Sequence, residues 1–234
     1  KEKPLLGLTG LGGGVDGLSV VGAETKAYIE DVFSNYLYTG TGSSSGAAQT
    51  ITNGIDLAGK GGLVMSKVRN KTYSWGLTDT VRGVNKFINS DTNNTETTTT
   101  GDDQGITSFN DNGFSLGKDN VPGIINYGGD GSIYTTNTFR KQKGFFDVVK
   151  YTPSGGTNTI SHSLGCVPGM ILVKNLDNSE NWAVFHRGMD STDPNGYGMK
   201  LNTDGQRFTG TGWNVTATTF DAAFSLNNND GDEH

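Results

Sequence analysis

Cysteine is almost missing from this chain of 234 residues: Cys166 stands alone, so no disulfide can form within the chain. That excludes the small secreted scaffolds that rely on disulfides, and stability has to come from packing or from assembly. Long apolar runs are missing too. No stretch approaches the ~18 residues that read as a membrane-spanning helix, so membrane insertion is not expected. Positive charge is short: 18 Lys and Arg face 24 Asp and Glu, for a net charge of −6. A surface that tracks phosphates needs clustered Lys and Arg, so nucleic acid is not an expected partner. Gly12-Gly13-Gly14 has no Lys-Ser/Thr or helix pattern behind it, which removes a phosphate loop. The start, Lys1-Glu2-Lys3-Pro4, lacks the layout of a signal peptide.

Glycine is abundant at 36 positions, about twice its usual share of ~7%. Thr-, Asn-, Gly- and Asp-rich stretches separate short apolar runs, the pattern of a sheet protein with many tight turns. The first thirty-odd residues differ. Leu5-Leu6-Gly7-Leu8 and Leu11-Gly12-Gly13-Gly14 are too apolar for a flexible linker and too Gly-rich for a regular element, and read as an arm or a frayed leader. From Phe33 on, strands are predicted at 33–38, 50–55, 63–68, 73–78, 133–139, 146–151, 157–161, 170–175 and 182–185, and around Phe224; aromatic and β-branched residues carry them. Residues 89–103 read as a long polar loop with no core face.

The chain repeats itself. Gly62-Leu63-Val64-Met65-Ser66-Lys67 matches Gly169-Met170-Ile171-Leu172-Val173-Lys174 without a gap, and the same offset of 107 carries Trp75 onto Trp182. Phe33 with Tyr38-Thr39 lines up with Phe146 and Tyr151-Thr152, and Thr50-Ile51 with Thr159-Ile160. Arg82-Gly83 parallels Arg187-Gly188. Thr107-Ser108-Phe109 with Phe114-Ser115-Leu116 parallels Thr218-Thr219-Phe220 with Phe224-Ser225-Leu226. A period this long exceeds the ~20–50 residues of solenoid repeats and suits a sandwich-sized unit of ~100 residues. The expectation is therefore an all-β chain with two homologous β-sandwich-like (jelly-roll or lectin-like) units: a Gly-rich amino-terminal arm at 1–32, a first unit at 33–142 and a second at 143–234. The second copy has no counterpart of the strand 133–139 after Leu226, only polar residues to His234. Either the polypeptide continues, or added β structure fills the gap.

The strings Phe33–Gly42 (FSNYLYTGTG), Thr52–Val64 (TNGIDLAGKGGLV), Thr107–Gly117 (TSFNDNGFSLG), Thr138–Thr152 (TFRKQKGFFDVVKYT), Ile160–Lys174 (ISHSLGCVPGMILVK) and Trp182–Met189 (WAVFHRGM) resemble an uncharacterised domain of structural proteins of marine tailed phages, cyanophages included. The resemblance runs from Phe33 to the end of the chain. It departs where the family commonly has Trp and this chain has Met65, and it lacks the family's aromatic-rich final strand. It implies a virion component, tail-fibre-like, tail-associated or decorating the particle. The implied partners are other virion proteins, a homo-oligomer, and a host-surface glycan if the unit is a carbohydrate-binding module instead. It brings no catalytic residues.

Candidates for chemistry are few. His162 and Cys166 lie close in sequence, but in a Gly/Pro turn, and a small buried Cys is the favoured reading. His186 is expected to be a hydrogen-bonded strand-end His, and the shared Arg-Gly pairs to pin a loop carbonyl or a carboxylate such as Asp79. As ligand-binding residues the candidates are Trp213, Arg187 and His186. Trp213, in a Thr/Gly-rich stretch, is the expected exposed aromatic, while Trp75 and Trp182 are expected in the core. Asp102-Asp103, Asp111-Asn112, Asp177-Asn178 and the Asn/Asp cluster at 228–232 offer oxygens for calcium, but none has EF-hand spacing. No cofactor and no enzymatic activity are expected.

Overall fold

The computed structural model describes residues 27–42, 46–99, 104–119, 125–129, 131–223 and 233–234. The arm segment 1–26, Asp102-Asp103, Phe224-Ser225-Leu226 and 228–232 lie outside them. Within them the chain is all-β, with antiparallel sheets, two one-turn α-helices and a 3-10 turn at Pro194–Gly196.

Helix α1 (Ile29–Val32) leads into strand β1 (Phe33–Thr39), and Val32, placed in the arm by sequence, is fully buried. Next come β2 (Gln49–Thr52), helix α2 (Leu57–Lys60), β3 (Gly62–Val68), β4 (Gly76–Asp79), β5 (Lys86–Asn89) and β6 (Thr97–Thr98). The hairpin β7 (Ile106–Asn110) and β8 (Gly113–Leu116) precedes β9 (Ile133–Arg140). Gly113 closes that hairpin with φ +128°, and a Cβ there would lie 2.0 Å from the Ile51 carbonyl oxygen, so only glycine fits. A six-stranded sheet in the order β1-β9-β3-β4-β5-β6 faces a three-stranded one, β2-β8-β7. Between them lie Ile51, Ile55, Leu57, Val64, Ile106, Phe114, Leu116 and Ile125. Asp56 caps α2 by accepting from Gly59 N at 2.7 Å.

The second half carries β10 (Asn158–Ser161), β11 (Met170–Val173), β12 (Ala183–His186), β13 (Tyr197–Lys200), β14 (Phe208–Thr209) and β15 (Thr219–Ala222). A four-stranded sheet, β11-β12-β13-β14, faces the pair β10-β15 across Ile160, Val173, Ala183, Phe185, Trp213, Phe220 and Ala222. The predicted strand 146–151 is not one: Phe146 makes an isolated bridge with Gln142 and Tyr151 exchanges two backbone hydrogen bonds with His234, without a continuous ladder among the described residues. Residues 97–98, predicted as loop, pair with Lys86 and Phe87 as an edge strand.

Two strand pairs share one register. Leu63 faces Asp79, Val64 faces Thr78 and Met65 faces Leu77; each position plus 107 gives Met170 facing His186, Ile171 facing Phe185 and Leu172 facing Val184. Thr80 N donates to Gly62 O and Arg187 N to Gly169 O, both at 3.0 Å. At the same offset of 107, Arg187 falls on Thr80 and His186 on Asp79. Likewise β15 meets β10 with Phe220 opposite Ile160, as Phe114 meets Ile51.

Candidate functional site

Strands alternate their side chains between two faces. On the β3-β4 sheet one face carries Val64 to the sandwich core, and the other carries Leu63, Met65 and Leu77 outward. The second half turns an apolar outer face the same way, through Met170, Leu172, Val184 and Met199. The two outer faces meet at one corner, where Leu77 and Ile88 bury against Leu176 and Trp182, with Trp75 alongside. Trp182 Nε1 donates to Asn89 O at 2.8 Å and Glu96 N to Leu176 O at 2.9 Å, fixing the corner.

Away from that corner the faces diverge around a cleft of about 670 Å³. Its walls are mostly apolar and include Leu63, Met65 and Phe139, Met170 and Leu172 of β11, and residues 145–151. Strand β11 forms one lip. Among the described residues it pairs only with β12, so the backbone groups on its other side are open along the cleft.

Glu233 and His234 enter this space. His234 N donates to Tyr151 O at 2.9 Å and Tyr151 N to His234 O at 3.0 Å, while Leu176 N donates to Glu233 O at 2.7 Å. The Tyr151 and His234 rings stack at 5.0 Å, and Lys150 pairs with Glu233 at 2.6 Å. Lys150 and its hydrogen bond hold the Glu233 carboxyl below its usual range. Lys174, 4% exposed, lines the cleft and donates to Asn175 O. Burial pushes its ammonium down to about 8, against a smaller upward pull from Glu180. Asp147 is pushed up by burial, but the Ser163 N–H, Lys141 and the Ser163 hydroxyl outweigh that and leave it low.

The three sequence candidates part company. Trp213 is fully buried: it packs on Phe185 and Phe220, its Nε1 donates to Tyr197 O at 3.0 Å, and its carbonyl accepts from Asp221 N of β15. Fully enclosed, it presents no face for a sugar. His186 and Arg187 are exposed at the end of β12. His186 Nδ1 accepts from Gly188 N at 3.1 Å, and the Arg187 guanidinium lies over Gly169. Cys166, expected to be buried, is exposed. Among the described residues no three His, Cys, Asp or Glu side chains gather where a metal could sit. Asp177 instead accepts from Glu233 N, and Asn112 from Gly54 N.

Arg82 meets the expectation that it pins a carboxylate, Asp79, whereas sequence reasoning missed the buried Asp119 and Asn126 that hold loops. Arg82 spans Asp79 at 2.5 Å, Glu96 at 3.3 Å and Leu77 O at 2.7 Å. Asp119 accepts from Gly105 N and Asn126 N, and Asn126 donates to Gly117 O, all at 2.6 Å. Such residues read as turn formers in one dimension, and only their burial reveals the load. No helix among the described residues is long and apolar enough to cross a membrane. No curated protein and no solved structure matches the chain. A family model matches residues 29–233, and the chain belongs to that family, described as a domain of unknown function (DUF7483).

Proposed function

We propose that the chain is a non-enzymatic building block of a larger assembly, made of two diverged copies of one sandwich unit, and that the assembly is the particle of a tailed phage. The copy reading draws on the shared register of β3-β4 and β11-β12 and on the matching β2-β8 and β10-β15 pairs. The phage setting draws on the sequence resemblance alone.

The observation that carries the assembly role is the apolar outer face of the second unit beside the open cleft. Met170, Leu172, Met199 and Leu201 are all exposed there, with Met170 at 57%. A contiguous apolar patch next to an unpaired strand edge is costly on a lone protein and marks a contact surface. The glycan-binding alternative keeps only His186 and Arg187, since Trp213 lies inside.

Light scattering across a concentration series tests this. The chain associates as concentration rises, and Met170→Asp with Leu172→Asp abolishes association while far-UV circular dichroism is unchanged. A chain that stays monomeric at every concentration, with or without the substitutions, refutes the assembly role. Peptide mass spectrometry of purified particles tests the phage setting.

A further inference from the structure

In the first half the order β1-β9-β3 leaves no gap: β9 lies between β1 and β3 and pairs with both. The second half has the two outer members. Residues 146–151 stand where β1 stands, and β11 where β3 stands. Between them lies the cleft, lined by Phe146, Val149 and Tyr151 on one side and by Met170, Ile171 and Leu172 on the other.

The first two places of the middle strand are taken. Arg69 N donates to Ile133 O at 2.7 Å, and at offset 107 Leu176 N donates to Glu233 O at 2.7 Å. Tyr38 pairs with Tyr134 and their rings stack at 5.1 Å; Tyr151 exchanges two hydrogen bonds with His234 and their rings stack at 5.0 Å. Glu233 and His234 therefore occupy the positions of Ile133 and Tyr134, the start of β9. The six following positions of β9, Thr135–Arg140, correspond to the remaining length of the cleft.

We propose that the cleft is a strand-receiving slot, taking one extended segment of β9's pattern in line with Glu233-His234; this rests on the two-copy reading. The occupant chemistry follows from the walls. Alternate residues must be apolar or β-branched to fill the core side against Ile171, Val149 and Phe220, as Thr136 and Thr138 do in β9. The others meet Met170, Leu172 and Leu63 and take a large apolar group, as Phe139 does opposite Leu63. The main-chain groups of such a strand would pair with the open edge of β11, the physics of strand addition.

The test extends the chain after His234 with the sequence of Thr135–Arg140, and compares it with a permuted extension interrupted by two prolines, in a Cys166→Ser background. The β9-like extension raises Tm by about 5 °C, a typical response to a modest gain in stability, and slows hydrogen exchange of β11 amides. The proline version does neither. Asn137 faces Met65 in the first half, so a cysteine at the third extension residue forms a disulfide with Leu172→Cys and not with Ile171→Cys or Val173→Cys. Stabilisation with a shifted crosslink keeps the slot and overturns the two-copy register. No rise in Tm and no protection of β11 overturns the slot. Protection of β11 that grows with concentration in the unextended chain would assign the slot to a second copy, and overturn the in-line occupant.

Discussion

Arg82 and Arg187 share an Arg-Gly pair in sequence, yet the fold gives them opposite burdens. The Arg82 side chain is 5% exposed, as is that of Asp79, and its guanidinium sends Nε to Asp79, Nη1 to Glu96 and Nη2 to Leu77 O. Arg82→Ala leaves Asp79 buried with only the backbone N–H groups of Val81 and Arg82 as donors. Removing one member of a buried pair costs about 3–5 kcal/mol, because the remaining charge is uncompensated. The two surviving backbone bonds set the expectation at the lower end, ~3 kcal/mol. Arg187 is exposed, and its alanine variant should stay within ~0.5 kcal/mol of the parent. Urea unfolding reads both. With a slope of about 2 kcal/mol per molar, the Arg82→Ala midpoint falls by ~1.5 M and the Arg187→Ala midpoint does not move. Arg82→Lys fails to rescue, since a single ammonium cannot reach three acceptors in a plane. A fall below ~0.5 M for Arg82→Ala, or an equal fall for Arg187→Ala, would refute the account of a buried, three-way Arg.

Two further outcomes follow from buried side chains. Lys174 releases its proton near 8 in the fold but at its ordinary 10.5 when unfolded. Between those pH values the unfolded chain binds more protons, so stability rises with pH across that window; solvent screening discounts the gain to ~1–2 kcal/mol. Lys174→Met removes this slope, which urea midpoints measured from pH 7 to pH 10.5 would reveal; an unchanged slope would contradict it. Trp213→Ala empties the centre of the second sandwich and should cost about 3–5 kcal/mol, against far less for the half-buried Trp75→Ala. Equal losses in thermal unfolding would show that Trp213 is not the core of its unit.

The sheet class was legible because period-two patterns and Gly/Asn turns survive in one dimension: β3, β9, β10 and β12 fall within two residues of the predicted bounds at each end. Strands β5 and β13 were not, since Lys86–Asn89 and Tyr197–Lys200 are too short and too polar to show an alternation. Residues 146–151 were read as a strand for a sound reason. Their composition is that of one, but a strand needs a ladder partner, and the neighbouring place is the cleft. Trp213 went wrong through its neighbours: a Thr/Gly-rich stretch reads as an exposed loop, yet the fold turns it inward against Phe185 and Phe220. The cleft itself has no sequence signature, because it is made from the outward residues of strands whose inward residues carried the pattern.

That origin explains the asymmetry between the halves. A sandwich strand with apolar residues on both faces is fit for burial on both sides. Leu77 and Ile88 reach it, since Trp182 and Leu176 of the second half cover them. Met170–Val173 is also apolar on both faces, but among the described residues its outer side is covered only towards Trp182, and Met170 and Leu172 are exposed. Two units joined outer face to outer face could in principle satisfy each other. Here they meet at a corner, fixed by the Asn89–Trp182 and Glu96–Leu176 hydrogen bonds, and diverge beyond it. The apolar residues that diverge are therefore not a packing remnant of the first half. They are exposed apolar positions, and the proposed contact surface is built on them.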